Sequence, residues 1–105
     1  MWVDASQKGA GACLTQVQDE TIKIIGYASM AFSDTESRYS TIERELCALR
    51  WGVKVFKAFL YGIEFVIWTD HQPLIYLMNM KSEDHRLART HENLSEFNFV
   101  NILED

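Results

Sequence analysis

Six apolar residues, Ile42, Leu46, Leu49, Val53, Phe56 and Leu60, recur at spacings of three and four. That repeat is one face of an amphipathic helix, and it predicts a helix from 41 to 60. The segments on either side read as strands, because β-branched and aromatic residues dominate them. Upstream these are residues 2–5, 10–17 and 21–32, and downstream "IEFVIWTD". A strand, a helix and a strand in succession imply a crossover that lays the later strand parallel to an earlier one.

Local signals fix the boundaries. Ser40-Thr41-Ile42-Glu43 fits a capping box, with Ser40 as N-cap and Glu43 at N3. Gly62 suits a C-terminal stop. Ser6-Gln7-Lys8-Gly9 and Gln18-Asp19-Glu20 are turn-like, so the first three strands form an antiparallel meander. Gly9 and Gly11 suit the turn and close strand contact. Pro73 opens a short helix over 73–79. A weaker helical pattern runs over 83–95, and "FNFVNILED" reads as a last strand. The order β-β-β-α-β-α-α-β gives a mixed sheet with helices packed on it, in the α/β class.

With 105 residues the chain holds one domain, residues 1–105. A hydrophobic content of 48% allows a real core. The formal net charge of -5 excludes a strong non-specific grip on nucleic acid by this chain alone. It leaves room for a weak domain that borrows affinity from a larger protein. Cys13 and Cys47 read as buried thiols of an intracellular chain. With no signal peptide and no apolar run that could span a bilayer, the chain is expected to be neither secreted nor in a membrane. Met1 runs straight into a strand, as if the domain were cut from something longer.

Three carboxylates stand out. Asp70 ends a strand-like run and is followed by His71 and Pro73; it either caps the next element or holds a cation. Asp4 lies inside the first strand, where aspartate is a poor fit. Glu45 sits about 60° from the centre of the apolar stripe, at about 100° per residue, while Glu43, about 100° to the other side, is explained by the cap. A helix shoulder is also an ordinary place for a solvated glutamate. If the strand ending at Asp70 lies beside the first, the connecting helix brings Glu45 over Asp4 and Asp70, and a divalent cation would relieve their repulsion. His71, His85 and His91 lack close metal-ligand spacing. Lys81, Arg86 and Arg89 could touch a phosphate or simply form a solvated face.

The stretches "VDASQKGAGACLTQ", "IGYASMAFSDTESRYSTIERELCALRWGVKVFKAFLYG" and "FVIWTDHQPLIYLMN", with a looser "RLART…LSEFNFV", cover nearly the whole chain. In this order they resemble the ribonuclease H domain of reverse transcriptases from gypsy-type LTR retrotransposons. The resemblance implies a ribonuclease H-like fold, a five-stranded mixed sheet with three antiparallel strands first and the fourth parallel to the first. It implies hydrolysis of the RNA strand of RNA–DNA hybrids by a two-metal-ion mechanism with Mg²⁺, which Mn²⁺ can replace. The family's catalytic and metal-binding carboxylates fall on Asp4, Glu45 and Asp70. Asp4 would bridge the two ions, and Glu45 and Asp70 would hold mainly the leaving-group ion. Backbone near Ala5 and Ser6 would contact the RNA.

The partners implied are the hybrid itself and the reverse transcriptase polymerase domain of a parent Pol polyprotein, inside the cell or a virus-like particle. The family's fourth catalytic Asp lies in a helix beyond the last strand, and no residue up to Asp105 matches it. A Trp common in the family's late helix is Thr90 here, and a neighbouring apolar position is His91. The expectation is a weakly active or inactive chain when alone, the alternative being a non-catalytic ribonuclease H-like fragment or tether.

Overall fold

The structure is a computed structural model that describes residues 1–70, 94 and 97, and the backbone of 98–104. The helices expected over 73–79 and 83–95 (Leu94 apart), the three histidines, Lys81, Arg86, Arg89 and Thr90 lie outside the described residues. Three strands come first: β1 (Trp2–Ala5), β2 (Gly9–Gln18) and β3 (Thr21–Ala31). A short α1 (Asp34–Ser37) precedes α2 (Thr41–Val55) and α3 (Lys57–Leu60), and then come β4 (Glu64–Thr69) and β5 (Asn98–Glu104). The strands form one sheet in the order β3-β2-β1-β4-β5. β1 pairs antiparallel with β2 and parallel with β4, and β5 is parallel to β4. The crossover expected from the helix between strands is therefore present.

The β2–β3 hairpin closes in two residues, with Gln18 paired to Thr21. Asp19 and Glu20 both have positive φ, 52° and 64°, as a two-residue turn matching strand twist requires. At the other end of β2 a Cβ on Gly9 would run into the Met30 carbonyl of β3, whereas one on Gly11 would meet nothing closer than 3.8 Å. Gly9 alone of the two serves close strand contact.

Helix α2 starts where the cap predicts. The Ser40 side chain accepts from the Glu43 N–H at 3.2 Å. A reciprocal capping box stands one helix earlier, where Ser33 and Glu36 exchange bonds at 3.1 and 2.9 Å around α1. That short helix lies in a polar stretch with no apolar period to reveal it. The expected helix over 41–60 is divided at Phe56, whose φ of -100° and ψ of 18° leave the helical region. The Phe59 and Leu60 N–H groups both bond to the Phe56 carbonyl. Phe56 is buried, and its ring lies over Gly26 of β3. Gly62, at φ 80°, then turns the chain into β4.

One layer of core lies between α2 and the sheet. Leu46, Leu49, Val53 and Leu60 from the helical side meet Val3, Ala12, Leu14 and Ile67 from the sheet. Trp51 is half-buried and packs on the same core. The apolar run from Phe65 to Trp68 reads, as a sequence, like a strand buried on both faces; the structure corrects this, since Ile67 and Thr69 are buried but Val66 and Trp68 are half-buried. On that second face Trp68 stacks on Trp2, centroids 5.3 Å apart and planes 17° apart. β3 is exposed from Thr21 to Ile25 because the hairpin tip reaches past the helix. Cys13 and Cys47 are free and half-buried.

Leu49 has no exposed surface, so Leu49→Ala is expected to lower stability by about 3 kcal/mol in chemical denaturation. Gly9→Ala should cost more than about 1 kcal/mol, and Gly11→Ala much less, since only the first forces backbone apart.

Candidate active site

The pairing of β1 with β4 sets the site. Trp2 lies beside Trp68 in parallel register, so two residues on, Asp4 stands beside Asp70 at the C-terminal ends of neighbouring strands. Asp4 alternates with Val3, which is buried under α2, so its side chain leaves the opposite face. It is opposite Gly11 on β2, which takes little space. Both aspartates are exposed. One Asp4 oxygen, Oδ1, accepts from the Ala5 N–H at 2.9 Å.

Glu45 comes to the same place from α2. It is 4% exposed, and its Oε2 is buried with no hydrogen-bond partner among the described residues. Burial pushes its carboxyl up from 4.5 to about 7, and the charges of Asp4 and Asp70 add to that. The Ala5 backbone N–H and the Arg44 charge act in the other direction. Near neutral pH Glu45 is therefore about half protonated. Arg44 itself is turned away to the chain before α2, donating to the Tyr39 carbonyl at 2.6 Å and the Ser37 carbonyl at 3.4 Å. That clamp fixes the first turn of α2, and with it the height of Glu45 above the sheet.

All three carboxylates chosen from the sequence thus meet electrostatically. They do not meet as ligands in this arrangement: among the described residues, no three His, Cys, Asp or Glu side chains group closely enough to hold a metal ion. The reason is visible in the layers. Glu45 approaches from the helix side, Asp4 departs on the other face, and like charges do not draw together unaided.

Ala5 and Ser6 lie immediately past Asp4. The Ser6 hydroxyl accepts from the Lys8 and Gly9 N–H groups at 3.2 and 3.3 Å, and the Ser6 N–H donates to the Gly9 carbonyl at 2.8 Å. The Ser6 side chain therefore builds the β1–β2 turn. The structure also shows a wall that the sequence reading did not identify. An open cleft of about 740 Å³ on the sheet face is lined by Asp4, Asp70, Trp2, Trp68, Tyr27 and Lys8, among others. Its sequence signal is the shared i, i+2 pattern, Trp2 with Asp4 and Trp68 with Asp70.

A family model described as the RNase H-like domain found in reverse transcriptase matches residues 1–97. The retrovirus-related Pol polyprotein from transposon 412 of Drosophila melanogaster is 42% identical over 97 residues, 92% of this chain and 8% of that polyprotein. The corresponding polyprotein from transposon gypsy of the same organism is 35% identical over 96 residues, 90% of this chain and 9% of its own. The chain thus spans about a tenth of the length of these relatives. RNase H1 from the halophilic archaeon Halobacterium salinarum NRC-1 aligns with 99% of this chain and 82% of its own, with a TM-score of 0.69 at 18% identity. The foamy viral protease-reverse transcriptase, solved in complex with an RNA/DNA hybrid, aligns with 99% of this chain and 14% of its own, with a TM-score of 0.68 at 19% identity. These two likenesses concern the fold, and that fold has the sheet and crossover described above. With its sequence matched over residues 1–97, the chain belongs to the family of RNase H-like domains found in reverse transcriptases.

Proposed function

We propose that this domain hydrolyses the RNA strand of RNA–DNA hybrids, with Asp4, Glu45 and Asp70 as the carboxylates that hold Mg²⁺. The observation that carries this reading is Glu45: a buried carboxyl with an unpartnered oxygen, raised to about 7 beside two exposed aspartates. A core glutamate with no cation is a standing cost. An all-oxygen donor set that ends in an orphaned lone pair fits a hard divalent cation. When bound, Mg²⁺ would polarise the scissile phosphate and lower the pKa of an attacking water.

This chain's own residues do the rest. Glu45 must lose its proton to act as a ligand, and the Ala5 N–H favours the charged form. Asp4 is within reach of the substrate because its face of the sheet is open. The backbone of Ala5 and Ser6, held by the turn, would meet an RNA ribose, whose 2′-hydroxyl marks RNA from DNA. The open cleft beside the aspartates leaves room for a nucleic-acid backbone. A net charge of -5 gives little affinity for it, so the hybrid would be held mainly by the polymerase part of a parent Pol polyprotein, within the cell or a virus-like particle. Among the described residues, no helix is long and apolar enough to cross a membrane.

The separation of the three carboxylates favours a second reading, a ribonuclease H-like module that does not catalyse. Calorimetric titration with Mg²⁺ and Mn²⁺ separates the two, with Asp70→Asn as the control and hybrid cleavage measured on the same samples. The hydrolase reading expects saturable binding that Asp70→Asn abolishes, together with cleavage. A folded chain that binds no metal and leaves the hybrid intact belongs to the second reading.

Glu45 gives a pH test with a definite sign. Its folded pKa, about 7, is above its ordinary 4.5, so the folded state binds the proton more tightly than the unfolded one. The associated stability is present in full below about pH 4.5 and is lost as pH rises through 7. Glu45→Gln should flatten stability across that window. At pH 8 it should be more stable than the parent by about 2–3 kcal/mol in metal-free urea denaturation. Saturating Mg²⁺ should shrink that difference if Glu45 is a ligand.

A further inference from the structure

Burial in α2 begins at Glu45. The buried residues of this helix are Glu45, Leu46, Ala48, Leu49, Gly52 and Val53, and none of the four before Glu45 is among them. Ile42 packs on the core but is only partly buried. Apolar packing thus holds the helix from Glu45 onward, and the turn before it is held chiefly by polar contacts. Helix ends fray, and the charges of Asp4 and Asp70 act against an ionised Glu45. What holds that first turn therefore decides where Glu45 stands.

Residues 32–40 supply the hold. They run from the end of β3 to the Ser40 cap, and they tie two parts of the site together. At the start, the Phe32 N–H donates to the Lys8 carbonyl at 2.8 Å, in the β1–β2 turn that follows Asp4. In the middle, Ser33 and Glu36 close α1 with a reciprocal cap. The far end is gripped by Arg44 of α2. Its Nη1 donates to the Ser37 and Tyr39 carbonyls, and its Nη2 donates to Thr41 Oγ1 at 3.4 Å. Ser37 ends α1 and Thr41 begins α2, so one planar guanidinium spans the joint between the two helices. A second fastening lies further along α2, where the Cys47 thiol donates to Glu36 Oε2 at 3.7 Å.

We propose that residues 32–40 are a strap between the Asp4 turn and α2, and that Arg44 is the positioning residue that grips it and so sets Glu45 where a divalent cation is bound. The inference rests on the proposed metal-dependent hydrolysis. The Arg44 donors are spent on two backbone carbonyls and a hydroxyl, so Arg44 acts through α2 and not on the cation itself. A lysine would keep the charge and lose the fork, because an ammonium is a point donor on a flexible stem. Charge and grip can therefore be separated.

The test uses the full chain as parent, Arg44→Lys and Cys47→Ala. Without metal, NMR reads the Overhauser contact between the Ala5 amide and the Glu45 side chain, since the Ala5 N–H acts on the Glu45 carboxyl. Calorimetry then reads Mg²⁺ affinity, and urea denaturation grades stability on the same samples. Arg44→Lys is expected to weaken the contact and to lower Mg²⁺ affinity about tenfold, although the charge is kept. Cys47→Ala, which loosens the second fastening, should move both readouts the same way and by less. A folded Arg44→Lys chain that loses stability but keeps the contact and the affinity would make Arg44 a structural residue only, and would overturn the proposal. Where Arg44→Lys does not fold, an unchanged contact in Cys47→Ala overturns it as well. A parent chain that binds no Mg²⁺ speaks against the hydrolysis instead, and the metal-free contact still decides the role of Arg44.

Discussion

Everything in this domain hangs on the parallel contact between β1 and β4. The helix that joins the meander to β4 is long enough to cross the sheet, so β4 must run beside β1 and not return beside β3. That placement sets Asp4 next to Asp70 at the same strand ends. It also fixes where α2 passes, because Leu46, Leu49 and Val53 must cover Val3, Ala12 and Ile67. With the stripe so pinned, Glu45, on its shoulder, has nowhere to go but over the C-terminal end of β1. Packing of the apolar face thus positions the charged residue, and the polar site is a consequence of the core.

The core also charges Glu45 a penalty. Its neighbours Leu46, Ala48 and Leu49 are buried, and so is its own carboxyl. A leucine there would pack without desolvating anything. Keeping a carboxylate with an unpartnered oxygen at that position breaks a local rule, and such breaks gather where a fold is used for chemistry. The two aspartates differ in kind. They are exposed and stay solvated, and their effect is on Glu45, whose proton they help retain. Burial and the two neighbouring charges together favour the protonated form of Glu45.

Much of this was legible in the residues. Asp4 in a strand and Asp70 at the end of one are both anomalies of propensity, and the helix-between-strands pattern is what makes them neighbours. Glu45 could be separated from Glu43 by angle alone, and the structure gives Glu43 its place at the cap, its N–H bonded to Ser40. Periodicity reports which face a residue is on, not how far apart two layers stand. That is why the burial of Glu45 and the spread of the carboxylates across both sides of the sheet were not visible. The break at Phe56 was hidden because Leu60 keeps the helical spacing on both sides of it. Helix α1 was hidden because four residues cannot show a period, although Ser33 and Glu36 carry its cap. The half-exposed face of β4 read as buried because a run of apolar residues does not say that Trp68 is shielded by Trp2.

β1 is the point where these features meet, and its two ends behave differently. At its C-terminal end the strand delivers Asp4 and the Ala5 N–H to the site, and the Ser6 turn holds that end in place. At its N-terminal end it is held by Met1, through a bond that spends a charge inside the sheet. A four-residue strand has little ladder of its own, so its position depends on both neighbours. The precision with which Asp4 sits beside Asp70 is therefore set in part by how firmly the other end is anchored.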